Sequence, residues 1–241
     1  MDKSVNIAQN YFGSKSLALL IDPDKHTTSS LNTLLQEIKD WPIDLIFVGG
    51  SILAKPISPV IAQIKSITTK KVVLFPGNTL QIDNQADAIL FLSLLSGRNP
   101  EFLIGQHVHA APILYHSEID IIPTAYILID GGAVSSVEYI SNTKPIPANK
   151  PDIAVATALA GKYLGMKTIY LEAGSGAQQS VSPHTVAAVK QHTQLPLIVG
   201  GGIRTLQQAE QIYAAGADCI VVGTAAEKSL LQLHEICTAK R

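Results

Sequence analysis

The sequence predicts one α/β domain, a closed (β/α)8 barrel of parallel strands wrapped by helices. Three observations predict it. Short, nearly continuous apolar runs recur eight times along 241 residues. Helix-like segments separate most of them. The runs lack polar/apolar alternation, so both faces of each strand must be covered, as in a parallel sheet. A doubly wound open sheet shares these features, but a count of eight favours closure.

In chain order, the first strand is LALLID (17–22), followed by TTSSLNTLLQEIKD (27–40), which opens on capping residues and carries leucines at helical spacing. DLIFVG (44–49) and KVVLF (71–75) are the second and third strands. After the third, PGNTLQIDNQ (76–85) is too short and polar for a full helix. AILFLS (88–93) leads to the helical NPEFLIGQHVHAAPILYHS (99–117), and AYILID (125–130) leads to SSVEYISNTKPIPANK (135–150). That last stretch is a long Pro- and Asn-containing connection of the kind that carries function on a rigid scaffold. KPDIAVATALAGKYLG (150–165) is the helix before TIYLEAG (168–174), and SPHTVAAVKQHT (182–193) the helix before PLIVGGG (196–202). TLQQAEQIYAAG (205–216) ends on Gly216 as a C-cap, DCIVVGT (218–224) is the eighth strand, and AAEKSLLQLHEICTAK (225–240) closes the chain. No domain boundary, repeat or low-complexity tail interrupts residues 1–241, so a single domain is expected.

Composition narrows the function classes. Apolar residues make up 46% and charged residues 15%, a large core under a modest polar skin. Net charge is −1, so no basic excess points to nucleic acid. The N-terminal apolar run, about six residues, is too short for a signal core or a membrane span. Cys219 and Cys237 lack metal-site spacing. Reduced structural thiols in a cytoplasmic protein are the expectation.

In such a barrel, chemistry sits at the C-terminal ends of the strands. Strand one ends on Asp22, Asp24 and Lys25; strand two on Gly49, Gly50 and Ser51. Strand six ends in YLEAGSGA (170–177), strand seven in Gly200, Gly201 and Gly202, strand eight in Gly223 and Thr224. Glycines let backbone N–H groups approach an anion, and a following helix adds its positive end. Three such ends in succession predict a phosphate cradle, with plain turn geometry as the other reading. Asp22 and Ser51 carry oxygen ligands suited to Mg²⁺ shared with a substrate phosphate. Asp22 also reads as the start of an ordinary Asp turn. Glu172 ends an apolar run where an acid is costly without a polar role. It is either an acid–base group beside the cradle or one half of an ion pair, for instance with Arg204.

Other motifs fail. No HExxH, Walker A or DDxxD is present, and Ser175 does not satisfy GxSxG. His107 and His109 cannot share one helix face. A sugar-phosphate isomerase or aldolase would need a second acid–base residue or a strand-end lysine, and no strand ends in lysine. An inactive phosphate-binding scaffold is the remaining alternative.

LLIDPDK, VGGS, LSGRNPEFLIG, YLEAGSGA, VGGGIR and VVGTA, in that order across residues 17 to 228, resemble the geranylgeranylglyceryl phosphate synthase family, which includes the PcrB-like enzymes. LSGRNP (95–100) and YLEAGSGA resemble its longer second branch. The resemblance implies a TIM-like barrel whose third helix is replaced by an irregular segment. It implies Mg²⁺-dependent transfer of a prenyl group, expected to be geranylgeranyl, from a polyprenyl diphosphate to the 3-hydroxyl of sn-glycerol 1-phosphate. By position, Asp22 and Ser51 would be the metal ligands, and Glu172 would accept the hydroxyl proton. Tyr170, Leu171, Glu172, Ala173, Gly174, Ser175, Gly176, Gly201, Gly202, Gly223 and Thr224 would hold glycerol phosphate. Where some members carry a lysine, this chain has Leu20, so Lys25 or Arg204 would have to compensate. A homo-oligomer, dimer or hexamer, and brief membrane contact are further implications.

Overall fold

Eight parallel strands close on themselves in chain order, with β1 beside β8, in a computed structural model that describes residues 3–13, 15–223 and 229–240. They are β1 (Ser16–Ile21), β2 (Leu45–Val48), β3 (Lys71–Leu74), β4 (Ala88–Leu94), β5 (Asp120–Leu128), β6 (Thr168–Glu172), β7 (Leu197–Gly200) and β8 (Cys219–Val222). All eight overlap the predicted runs. Only β5 differs much, starting at Asp120 because Asp120 N donates to Asp87 O and the register continues through Phe91↔Pro123. Pro123 discourages a strand reading from sequence, yet its carbonyl still accepts Lys167 N on the β6 side.

The outer helices are α1 (Lys3–Tyr11), α2 (Thr28–Ile38), α3 (Ser58–Ile67), α4 (Gln106–Tyr115), α5 (Ser136–Ser141), α6 (Pro151–Tyr163), α7 (Pro183–Thr193), α8 (Leu206–Ala214) and α9 (Leu230–Cys237). α2 and α8 open on capping boxes, Thr27 with Ser30 and Thr205 with Gln208, each cap contributing about 1 kcal/mol. A π-helical turn, Glu101–Gly105, precedes α4, so the segment predicted as one helix is two geometries in series. Between β3 and β4 only the 3₁₀ turn Thr79–Gln81 forms, which confirms the irregular third segment.

Among the described residues, two helices, α1 and α3, fall outside the segments predicted from sequence, and six residues of the expected long loop form α5; residues 225–228 of the predicted closing helix lie outside the described residues. α1 plugs the N-terminal mouth of the barrel. Phe12 meets Phe47 edge-on at 6.4 Å, and Tyr11 donates to Asp120 Oδ2 at 2.9 Å.

Two apolar cores result. Inside the barrel lie Phe47, Val73, Leu90, Tyr126, Tyr170 and Val221 among others. Between barrel and helices lie Ile46, Ile89, Ile169, Leu171 and Val199 among many. Along β6 the pleat therefore sends Tyr170 inward and Leu171 outward. Cys219 and Cys237 are both free and buried, and burial pushes the Cys237 thiol up to about 11. No helix among the described residues is long and apolar enough to cross a membrane.

Candidate active site

A cavity of about 670 Å³ opens at the C-terminal end of the barrel. One limb is polar, bounded by the ends of β1, β2, β6, β7 and β8. The other is apolar and runs past Phe75, Ile82, Ile89, Phe91, Phe102 and Ala110. The second limb exists because no full helix lies between β3 and β4, which leaves the outer residues Ile89 and Phe91 in its wall. The resemblance places a groove beside 76–85, but the rest of the apolar lining, which comes from two further segments, is not legible in sequence. The limb's one local signal was the polar, helix-free stretch 76–85.

Glu172 stands between the limbs and is 6% exposed. Its Oε1 accepts the Gly174 N–H at 2.7 Å. Burial pushes its carboxyl up to about 7, and the Gly174 amide and the neighbouring Tyr170 hydroxyl pull the other way. Tyr170 lies alongside the carboxyl, but its buried hydroxyl completes no hydrogen bond among the described residues. Below it, Tyr170 stacks on Phe75 at 5.2 Å and contacts Tyr126 at 5.3 Å. Glu172 has no cationic partner among the described residues. The ion pair with Arg204 weighed from sequence does not form. Arg204 instead donates to Gln178 O at 3.1 Å and to Ala177 O, tying the loop after β7 to the loop after β6.

The glycine loops form an open ring of donors. Among the described residues, no protein acceptor takes the N–H of Ser175, Gly176, Gly201 or Gly202. Such unspent amides at strand ends form an anion-binding concavity. Gly201, at φ +81°, could not carry a side chain: a Cβ there would collide with Glu172 Oε1 and lie 2.7 Å from Gly174 N. Gly201→Ala is expected to weaken phosphate binding at least roughly tenfold and to destabilise the fold by about 1–3 kcal/mol. Calorimetric titration and thermal melts check this, and wild-type affinity in the variant would remove this loop from the cradle.

The structure brings Tyr170, Glu172, Gly174, Ser175, Gly176, Gly201, Gly202, Gly223, Asp22 and Ser51 to one cavity. Leu171 and Ala173 face away into the outer core, so only their backbone remains near the site. The pleat decides this, and a run buried on both faces hides it in sequence. Thr224 lies outside the described residues. Leu20 lines the cavity close to Gly223 as an apolar wall. Asp22 Oδ1 accepts Asp24 N at 3.0 Å, and its Oδ2 lies 3.9 Å from Lys25 Nζ. Among the described residues no three acidic, His or Cys side chains gather.

The fold and cavity define a class: a TIM barrel with a glycine-lined anion cradle joined to an apolar groove. Comparison with known proteins makes it particular. A family model described as the PcrB family matches residues 12–240. A geranylgeranylglyceryl phosphate synthase of Spirosoma linguale is 48% identical over 95% of this chain and 92% of its own. One of Chitinophaga pinensis is 46% identical over 94% and 90%. The crystal structure of (S)-3-O-geranylgeranylglyceryl phosphate synthase from Thermoplasma acidophilum in complex with its substrate sn-glycerol-1-phosphate superposes with a TM-score of 0.91, at 36% identity over 99% and 98%. The chain belongs to the PcrB family, the geranylgeranylglyceryl phosphate synthase family of prenyltransferases.

Proposed function

We propose that this protein joins a prenyl chain from a polyprenyl diphosphate, geranylgeranyl in the first instance, to the 3-hydroxyl of sn-glycerol 1-phosphate. The observation that carries the reading is the single cavity in which an apolar groove meets the open amides of the glycine loops, with Glu172 at the junction. The amides after β6 and β7 hold the phosphate of glycerol phosphate. Glu172 orients the acceptor hydroxyl and takes its proton. The C1–O bond to diphosphate breaks, the diphosphate leaves, and the ether bond forms between C1 and the 3-oxygen. Fixing both substrates in one cavity supplies much of the rate.

Asp22 and Ser51 fit Mg²⁺ as a partial site. They offer only oxygen ligands and a single carboxylate, the donor set this ion uses when substrate phosphates complete its shell. Mg²⁺ held by Asp22 and Ser51 would neutralise charge on the departing diphosphate. Exposed apolar residues at the mouth, Ile52, Val134 and Tyr139, support brief membrane contact during loading. Exposed Val108 and Tyr115 on α4 and Tyr163 on α6 support a homo-oligomer.

The test is a turnover assay with sn-glycerol 1-phosphate, Mg²⁺ and prenyl diphosphates of increasing length. Controls use sn-glycerol 3-phosphate or EDTA. Metal-dependent ether product with the 1-phosphate alone is expected, and the best chain length names the donor. A folded protein that binds phosphate and makes no ether at any length would overturn the reading.

A further inference from the structure

Gln81 is a buried polar residue to which neither motif nor resemblance assigned a role. It is 3% exposed and ends the 3₁₀ turn that stands in for the third helix. Its side-chain amide bonds in both directions. Oε1 accepts Gly50 N at 3.2 Å and Gly77 N at 3.1 Å, while Nε2 donates to Gly50 O at 2.7 Å. One side chain thus satisfies both backbone polar groups of Gly50 and clamps the loop after β2 to the loop after β3. The loops touch closely enough that a Cβ on Gly77 would collide with Gly50 O and lie 2.7 Å from Ser51 O. On the far side of Gly50, its Cβ position lies 3.6 Å from the Asp22 carboxyl.

Two consequences follow from this geometry. The N–H groups of Gly50 and Gly77 are spent on Gln81, so they cannot serve as anion donors. At this end of the cavity the ligands must come from side chains, and the placement of Ser51 against Asp22 depends on the clamp. The clamp is also part of the groove wall. Asn78, Thr79 and Ile82 on the same short segment line the cavity, and Thr79 N reaches across to Gln106 Oε1 at 3.3 Å.

We infer that Gln81 is the positioning residue for the diphosphate end of the site, holding Ser51 opposite Asp22 and linking that pair to the groove segment 78–82. The inference rests on the reading of Asp22 and Ser51 as the diphosphate and Mg²⁺ end. It separates from a general stabilising role by which ligand suffers. A lost brace distorts only its own end of the cavity, whereas a loosened barrel weakens every ligand.

The test measures binding of inorganic pyrophosphate with Mg²⁺, and of sn-glycerol 1-phosphate, each by calorimetry on wild type, Gln81→Ala and Gln81→Glu. Gln81→Glu keeps the acceptor for both amides but turns an oxygen toward Gly50 O in place of the donor. Gln81→Ala is expected to weaken Mg²⁺–pyrophosphate binding roughly tenfold and raise KM for the prenyl diphosphate similarly. Glycerol phosphate affinity should stay within about twofold in both variants, and Gln81→Glu, which sets an acid against Gly50 O, should lose at least as much pyrophosphate binding as Gln81→Ala. Equal loss for both ligands, or unchanged pyrophosphate binding, would overturn the role. If Gln81→Ala does not fold, Gln81→Glu carries the same comparison. A wild type that binds glycerol phosphate but not Mg²⁺–pyrophosphate would instead overturn the assignment of Asp22 and Ser51, and this inference with it.

Discussion

Glu172→Gln is expected to lower kcat by about 10²–10⁴-fold while leaving glycerol phosphate binding intact. The amide keeps the size of the side chain and can still accept the Gly174 N–H now bound at 2.7 Å. It cannot take a proton. The wild-type pH profile should show why. Burial raises this carboxyl from 4.5 to about 7, so kcat/KM should climb with pH and level off above about 7. The residual activity of the variant should lack that limb. A stability effect of opposite sign accompanies the loss. Between pH 4.5 and about 7 the folded state binds more protons at this group than the unfolded chain does. Stability from this group is therefore complete below the unfolded value and lost as pH rises through the folded one. A glutamine never ionises, so at pH 8 the variant should be more stable by on the order of 2 kcal/mol, roughly 4–8 °C in Tm. Near-normal turnover in the variant would remove Glu172 from the mechanism, and an unchanged melt at pH 8 would show that its charge is not strained by burial.

Asp22→Asn should be the most damaging change at the other end of the cavity, lowering kcat/KM by about 10²–10³-fold through loss of diphosphate charge stabilisation. Asparagine retains a side-chain oxygen for the Asp24 N–H, so the turn after β1 and overall stability should hold within about 0.5 kcal/mol. The loss should appear as a higher Mg²⁺ requirement and a higher KM for the prenyl diphosphate. Glycerol phosphate affinity should not move, because the cradle proposed for it lies after β6 and β7. Unaltered Mg²⁺ dependence would return Asp22 to the plain turn-forming role that its IDPDK context also allows.

Much of this protein is decided locally, and that part was legible in sequence. Most strands are short apolar runs with glycine or a polar residue at the end, and α2 and α8 announce themselves by Thr27 and Thr205 before a helical stripe. The absence of a full helix between β3 and β4 was legible because PGNTLQIDNQ offers no apolar face to bury. The identity of the strand-end residues Asp22, Ser51, Glu172, Gly201 and Gly202 was legible for the same reason: barrel topology alone puts strand C-termini on one face.

What remained was decided only when distant segments met. A run such as TIYLE is apolar on both sides, so nothing in it tells that Tyr170 fills the barrel while Leu171 meets the helices. The plug formed by α1 depends on Phe12 reaching Phe47 across the barrel mouth. Arg204 could have paired with Glu172 by sequence, yet loop geometry gave it the carbonyls of Ala177 and Gln178 instead. That left the acid without a counter-ion among the described residues, and burial pushes its carboxyl up to about 7. Gln81 joins Gly50 across 31 positions of chain, a separation at which no pattern in sequence signals contact. Sequence by itself determines which residues can form strands, caps and turns, because those depend on neighbours a few positions away. Which way a doubly buried side chain faces, and which polar group it finds there, depends on closure of the sheet, and only the tertiary structure decides that.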